Sequence, residues 1–238
     1  MSRLKWVLLI LVVIAGGVHA QRRGYFGGGR YEAYDTPRQI PQHAYDESGE
    51  VQQTPSWTNA PGFEGDTFTF VRIMRSRGGG NGGGWDTDTP DSDLNLSWRL
   101  STLTALKVNP DGKFLRLTDK DLAQYPFIYM VEPGSLYLDA TEVKTLREYL
   151  LNGGFLWLDD FWGESEWNNM ARELKKVFPD RNFEELPADH QIYHCVFNIK
   201  TKEQVPGIDY WSRSGGETSE RYDSREVHHR AIFDDKGR

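Results

Sequence analysis

The sequence has only one cysteine, Cys195, among its 238 residues. A single cysteine cannot form an intramolecular disulfide, so the chain is not a disulfide-stapled scaffold and needs an ordinary hydrophobic core. Basic residues are not in excess either, because 28 Lys and Arg stand against 35 Asp and Glu. Since phosphate binding requires a basic surface, this balance argues against nucleic acid, and it gives no help in adhering to anionic lipid.

The first twenty residues contain no acid, and no cysteine lies at the end of their apolar run. Arg3 and Lys5 precede the apolar run of residues 6–15, and small residues lead up to Ala20. This pattern predicts a secretory signal peptide over residues 1–20, and without a cysteine it does not predict a lipoprotein. The run is shorter than the roughly 20 residues of a bilayer span, although an uncleaved membrane tether is the alternative. We therefore expect an exported protein of the periplasm or cell envelope.

Residues 21–64 are rich in Gly, Pro, Gln and Ser and have no sustained apolar period. This composition predicts a disordered linker, followed by a folded domain over residues 65–238. Inside the domain, the stretch GGGNGGG contains a formal G-x-G-x-x-G pattern at Gly78, Gly80 and Gly83. No helix begins directly on these glycines and acids follow them, so we interpret the stretch as a flap over a crevice and not as a nucleotide site.

Patterns of strands and helices alternate along the domain. The strand patterns are TFTFVRIM (67–74), ALKVN (105–109), KFLRLT (113–118), FIYMV (127–131), FLWL (155–158) and IYHCVFNI (192–199). FIYMV and FLWL are continuous apolar runs, which are typical of parallel strands buried on both faces, and KFLRLT is a hairpin return or a second short strand. Cys195 lies inside the last pattern, where we expect it to be buried. The order of elements predicts an α/β fold, a three-layer sandwich with a mainly parallel sheet.

Three helices are predicted between these strands. In the first, Leu96, Leu100 and Leu103 share one face, and Ser92 or Asp93 is the expected cap. The second follows Asp139 in DATEVKTLREYLLNGG and has a capping pattern at its start, an apolar stripe, and Gly153 at its end. The third helix runs from about Trp167 to Val177 and stops before Pro179. A brief helical turn precedes Pro126.

The last residues, RAIFDDKGR, contain a turn signal typical of a connection between two strands. No residues follow the turn, so we expect the domain to be incomplete at its C-terminal end. At least one further helix and one further strand would then be missing.

Four motifs occur in a distinctive order: WDTDTPDSDLNL, LTDKDLAQYPFIYMVEPG, LREYLLNGGFLWLDDFWG and LPADHQIYH. From about Phe68 onwards the chain thereby resembles the bacterial family called "domain of unknown function 4159". The resemblance implies a fold related to class I glutamine amidotransferases, with flavodoxin-like layering, and a place on envelope proteins. It implies no established activity. The amidotransferase nucleophile is a cysteine on a tight strand-to-helix elbow, and the corresponding segment LDDFWGES has none, so glutaminase chemistry is not expected.

Acidic residues follow several of the predicted strands. In an open parallel sheet, ligands bind beyond the carboxyl ends of the strands, where these acids would gather. We predict a binding rim formed by Asp86, Asp88, Glu132, Asp159, Asp160 and His190. Because neighbouring strand residues point to opposite sides, Asp159 and Asp160 would face one ligand only if the strand has already turned.

The rim has several possible uses. Clustered carboxylates suit calcium or magnesium, although Pro90 breaks the EF-hand ligand pattern, so a divalent cation stays open beside simple helix capping. Trp85 and Trp162 lie in predicted loops and form a candidate aromatic platform for a sugar ring, whereas Trp167 fits a helix core.

The preferred hypothesis is an envelope module that binds a small ligand or an envelope protein without catalysis, and no cofactor is assigned to it. The alternative is a cation-assisted hydrolase of an envelope glycan or ester, with Asp159 or Asp160 as the base and His190 as an acid or ligand.

Overall fold

The computed structural model describes residues 57–62, 66–75 and 84–237. All of them belong to one compact unit. The predicted signal peptide, most of the predicted linker, and Gly78, Gly80 and Gly83 of the glycine-rich stretch lie outside the described residues. None of the helices in the described part of the chain combines the length and apolar character that a bilayer crossing needs.

The centre of the fold is a parallel sheet of four strands in the order β2-β1-β3-β4. The strands are β1 (Val71–Ile73), β2 (Lys113–Leu115), β3 (Phe127–Val131) and β4 (Phe155–Asp159). All three strand pairs are parallel. KFLRLT therefore forms a parallel strand and is not a hairpin return, while ALKVN contributes a single bridge between Val108 and Phe68. The predicted α/β class with a mainly parallel sheet is confirmed.

In the part of the chain that the structure describes, four helices accompany the sheet. They are α1 (Asp91–Leu103), α2 (Ala140–Leu151), α3 (Gly163–Val177) and the short α4 (Ile208–Ser214). A separate antiparallel pair joins β5 (Glu184–Glu185) to β6 (Arg230–Ala231). Short 3-10 turns lie at residues 122–124, 133–135, 191–193 and 222–224, and the first of them is the turn predicted before Pro126.

The side chains of the sheet divide between two cores, because successive residues of a strand point to opposite faces. Helices α2 and α3 cover one face with a core that includes Ile73, Ile128, Met130, Leu146, Met170 and Leu174. Helix α1 lies against the other face with a core formed by Phe70, Met74, Leu94, Phe114, Tyr129 and Val131. The two cores make the fold a three-layer sandwich, as the sequence predicts.

Helix α2 forms as its sequence predicts. The Asp139 side chain accepts hydrogen bonds from the backbone N–H groups of Thr141 and Glu142, at 2.7 and 2.8 Å. In return, Glu142 accepts from the Asp139 N–H at 3.0 Å, which completes a capping box. Gly153 follows the helix with a φ of 100°, a left-handed conformation that glycine adopts without strain.

Helix α1 differs from its prediction. Its buried residues are Asp93, Leu94 and Ser97. Of the expected leucine stripe, Leu96 packs against the core from a partly buried position, but Leu103 is 46% exposed. Neither Ser92 nor Asp93 caps the helix, because Pro90 occupies the cap position. Asp93 is instead buried in an ion pair with Arg72, and this pair determines which face of α1 turns inwards.

Among the described residues, strand β4 lies at the edge of the sheet, which corrects its predicted burial on both faces. Leu156 and Leu158 pack against the α2–α3 core, but Phe155 and Trp157 are 52% and 38% exposed on the other face. The reason is that α1 covers β1 and β3 but leaves β4 largely uncovered on that side. The apolar run of β4 therefore has two different faces: its leucines pack against the core, and its aromatic residues are exposed.

The predicted strand IYHCVFNI is wrong. Residues 191–193 form a 3-10 turn, and the following residues carry no regular secondary structure. Only Tyr193 is buried in this stretch, and Cys195 is exposed as a free thiol. The alternating pattern indicated a half-buried strand, but these residues do not form one.

Candidate functional site

The acids that follow β3 and β4 meet at the carboxyl edge of the sheet. The N–H of Glu132 donates to the carbonyl of Asp159 at 2.9 Å, which continues the ladder by one residue. Thr87, in the loop that follows β1, donates from its hydroxyl to Glu132 Oε1 at 2.9 Å. The segments that follow β1, β3 and β4 thus converge at one edge of the sheet. Asp88 and Glu132 lie in these segments, and Asp159 lies at the end of β4, as the sequence predicts.

Backbone strain is concentrated at the same edge. Among the described residues, the non-glycine residues with positive φ are Asp88 at 55°, Glu132 at 47° and Asp160 at 57°. The left-handed region costs an L-residue roughly 1–2 kcal/mol, and such residues cluster at functional sites. At Asp160 the strand has already turned, so the alternation rule no longer separates its side chain from that of Asp159.

Arg75 places a positive charge among these acids. It is 8% exposed, and its Nη2 donates to the carbonyl of Val131 at 2.8 Å and to that of Glu132. Burial lowers the pKa of the Arg75 guanidinium, and the negative charges of Glu132 and Asp86 oppose that shift. Asp86 therefore lies within electrostatic range of the rim through Arg75.

Three carboxyls of the rim have raised pKa values, with burial as the largest cause in each. The pKa of Glu132 is raised further by Asp160, although its hydrogen bond from Thr87 opposes the shift. For Asp160 the charges of Asp159 and Asp88 add to the effect of burial, and the hydrogen bond from Trp162 opposes it. Carboxyls held partly out of water beside like charges are characteristic of binding and catalytic sites.

Asp159 combines exposure to solvent with a raised pKa. Surrounding protein raises the pKa of its carboxyl and the charge of Asp88 adds to this, while hydrogen bonds from the Asp160 backbone and from Tyr129 oppose it. The Tyr129 hydroxyl lies 3.5 Å from Asp159 Oδ2. Asp159 is therefore surrounded by protein but still accessible to water, as expected for a residue on the wall of an open groove.

That groove has a volume of about 330 Å³ and is lined by residues of α1, β3 and β4. Its lining residues are Phe70, Ser92, Asn95, Leu96, Arg99, Tyr129, Trp157 and Asp159. Trp157 and Asp159 are two residues apart on one strand, so they point to the same face. The groove therefore has an aromatic floor, one carboxyl at its end, and polar side chains from α1 along its lip.

The predicted aromatic platform is only partly available. Trp85 is half-buried, packs edge-on against Phe114 with ring centroids 5.5 Å apart, and contacts the core under α1. Trp162 lies at the start of α3 and donates from its ring nitrogen to Asp160 Oδ1 at 3.1 Å. The exposed aromatic residue of the groove is Trp157, which the sequence placed inside a buried strand.

His190 makes local contacts. Its Nδ1 accepts from the Ile192 N–H at 3.3 Å, and its ring lies 6.1 Å from that of Phe233. The histidine whose charge acts on Asp159 is His229, which is hydrogen-bonded to the Tyr193 hydroxyl at 2.8 Å. Nothing in the sequence near His229 pointed to this placement, because it depends on how the segment after α4 returns to the sheet.

No group of three or more His, Cys, Asp or Glu side chains in the described residues is arranged to hold a metal ion. The rim acids lie close enough to influence one another's pKa values, but they do not form a ligand cage. The divalent cation of the hydrolase hypothesis stays a prediction.

A family model described as "Domain of unknown function (DUF4159)" matches residues 69–238. The chain belongs to this family. The matched region contains all four strands of the parallel sheet, the acids of its carboxyl edge and the residues that line the groove. No curated protein gives a significant match to the chain.

Proposed function

We propose that this domain is a ligand-binding module of the cell envelope and that its ligand lies in the groove between α1 and β4. The observation that carries the proposal is the composition of the groove, in which Phe70, Tyr129 and Trp157 form an apolar floor beside the single carboxyl of Asp159. Small-molecule sites are typically concave and mostly apolar, with a few placed polar groups that fix orientation.

The polar groups support recognition of a ligand with hydrogen-bonding groups at its edge. Ser92, Asn95 and Arg99 line the side of the groove that α1 forms. They lie on a regular helix, at positions separated by three or four residues, so they project from one helix face. Rigid elements hold the walls, which favours binding because little conformational entropy is lost when the ligand enters.

Binding is favoured over catalysis because the rim carries no nucleophile of the amidotransferase type. The segments that follow β1, β3 and β4 contain acids and no cysteine. The one thiol, at Cys195, follows a 3-10 turn and contacts the Ile192 carbonyl at 3.4 Å. The relation to glutamine amidotransferases therefore bears on the fold that we expect and not on the chemistry.

The place of this module in the envelope is inferred from residues 1–20, whose charged start, short apolar run and small residues are typical of an export signal. An exported domain with an open groove is positioned to bind solutes or envelope fragments that never enter the cytoplasm.

The direct test is a thermal-shift screen of the full chain against sugars, amino sugars, amines and amino acids found in bacterial envelopes. A true ligand binds the native state and raises Tm in a concentration-dependent way. We expect the shift to disappear in Trp157→Ala and to persist in Tyr137→Ala, which removes an exposed aromatic residue elsewhere on the surface. The proposal fails if no compound shifts the wild type, or if both variants retain the shift.

The hydrolase alternative keeps one supporting observation, the raised pKa of the neighbouring carboxyls Asp159 and Asp160. Carboxyls whose pKa values are raised serve as acids or bases in hydrolases. Calorimetry with calcium, magnesium and zinc, followed by an ester-hydrolysis assay with any cation that binds, separates this alternative from simple binding.

A further inference from the structure

The floor of the groove places an exposed indole directly beside a carboxyl. Trp157 and Asp159 are on the same face of β4, and Trp157 is 38% exposed. The Trp157 ring is held edge-on by Tyr129 and Phe127, at centroid distances of 5.5 and 6.3 Å. Packing therefore fixes the ring in place while part of its surface remains open to a ligand.

The charges around this end of the groove are mostly negative. Asp88 and His229 act on Asp159, and Asp88, Asp159 and Glu220 act on Asp160. Three of these neighbours are carboxylates and one, His229, is a histidine. The like charges oppose one another, and a cation bound between them would relieve that repulsion.

Three arginines lie near this end of the groove, and the buried Arg75 interacts with the charges of Glu132 and Asp86. Arg72 lies over the Tyr129 ring at 5.0 Å, but its charge is matched by the buried carboxylate of Asp93. Arg99 lines the lip on the α1 side. Its guanidinium is carried by the helix and is exposed, so it can be removed without disturbing the floor.

We infer that the ligand of this groove is an organic cation that carries an apolar portion, such as a substituted ammonium group. This inference rests on the proposed function of the groove as a ligand site. The cation lies against the face of the Trp157 indole and beside the Asp159 carboxylate, while the apolar portion contacts Phe70, Tyr129 and Leu96. A cation over an indole gains electrostatic attraction from the ring, and a neighbouring carboxylate adds to it.

The test compares two probes of equal shape and different charge. Choline carries a permanent trimethylammonium group, and 3,3-dimethylbutan-1-ol replaces its nitrogen with carbon. We expect the full chain to bind choline at least about fivefold more tightly than the neutral alcohol in an NMR titration, since cation–π attraction corresponds to a few-fold to more than tenfold difference.

Three variants assign the effect to the groove. Asp159→Asn should weaken choline binding about fivefold and leave the alcohol unchanged, because only the charged probe interacts with the carboxylate. Arg99→Ala should strengthen choline binding about twofold, because a like charge is removed. Glu148→Gln is the matched control, since it removes one negative charge from an exposed position on α2, the helix that packs on the opposite face of the sheet.

The outcomes separate this inference from the proposed function. Equal affinity for choline and the alcohol, or choline binding that Asp159→Asn leaves intact, overturns the cation assignment. So does a lack of choline binding when a neutral compound from the thermal-shift screen binds in a Trp157-dependent way, and in that case the groove remains a ligand site. If neither the probes nor any screened compound bind, both the inference and the proposed function fail.

Discussion

Arg72 and Asp93 form a fully buried, two-point ion pair between β1 and α1. Arg72 Nε lies 2.8 Å from Asp93 Oδ1, and its Nη2 lies 2.7 Å from Oδ2, with both side chains at 0% exposure. Arg72 Nη1 also donates to the carbonyls of Trp85 and Thr87, at 3.0 Å each. One guanidinium thus joins the sheet, the helix and the loop that carries Thr87 to the rim, so the pair fixes one wall of the groove.

We expect Asp93→Ala to destabilise the domain by about 3–5 kcal/mol, because it leaves the Arg72 charge buried without its partner. Urea unfolding followed by circular dichroism measures the change. Asp91→Ala removes an exposed acid from the same helix turn and should cost less than about 0.5 kcal/mol. The double replacement Arg72→Met with Asp93→Leu should recover much of the lost stability, and a loss below about 1 kcal/mol in Asp93→Ala alone would contradict the importance of the pair.

This pair also shows where sequence analysis reaches its limit. The capping box at Asp139 and Glu142 was predictable because its partners lie within three residues and the pattern is local. Asp93 was predicted to be a cap by the same local logic, but its partner lies 21 residues away in another element. Whether Asp93 caps the helix or forms a buried ion pair depends on how α1 packs on the sheet. A local sequence pattern carries no information about that packing.

The groove was missed for a related reason. The acids at the carboxyl edge were predictable, because parallel strands bring their ends to one side of a sheet. The exposure of Trp157 was not, because the apolar run of β4 is equally compatible with a central strand, and only the strand order makes it an edge. Similarly, the effect of His229 on Asp159 was not predicted, because the long-range return of the chain, and not residue spacing, brings this ring near the strand.

Truncation of Trp85 should cost much more stability than truncation of Trp157. Trp85→Ala removes a ring packed against Phe114 and the core under α1, so we expect a loss of about 3 kcal/mol in unfolding free energy. Trp157→Ala removes a partly exposed ring at the sheet edge and should cost only about 1 kcal/mol, while it abolishes ligand-induced thermal shifts. Equal stability losses would show that the aromatic face of β4 is structural and not a free binding surface.

Cys195 should react as an accessible thiol in the native protein. It is exposed, and its sulfur lies 3.4 Å from the carbonyl oxygen of Ile192. We expect one equivalent of a chromogenic disulfide reagent to react with the folded chain at the same rate, within about threefold, as with urea-unfolded chain. Cys195→Ser is the blank, and protection of the native thiol by several orders of magnitude would restore the buried placement that the sequence pattern indicated.

The carboxyl edge should make stability depend on pH in a characteristic direction. Burial, followed by the charge of Asp159, raises the pKa of Asp160 above its ordinary value of 3.8, against the hydrogen bond from Trp162. Between that ordinary value and the raised one, the folded state holds a proton that the unfolded state has released. The contribution of Asp160 to stability is therefore largest in acid and is lost as the pH rises through this window.

Asp160→Asn tests this direction without changing the backbone, because asparagine also tolerates the positive φ of this position and retains an oxygen for the Trp162 ring nitrogen. We expect the variant to gain stability relative to wild type, that is, its free energy of unfolding to become larger by comparison, as the pH rises from about 3.5 to about 7. Other groups also change stability towards the acid end of this range: although burial opposes it, hydrogen bonds from Lys202 and the His229 backbone lower the pKa of Glu185 from its ordinary value of 4.5 to about 2. Comparing the variant with wild type at each pH cancels their contribution, since both proteins retain those groups. A relative stability that stays constant, or that grows towards acid, would mean that the Asp160 carboxyl is not held against its charged form and that the rim does not concentrate negative charge.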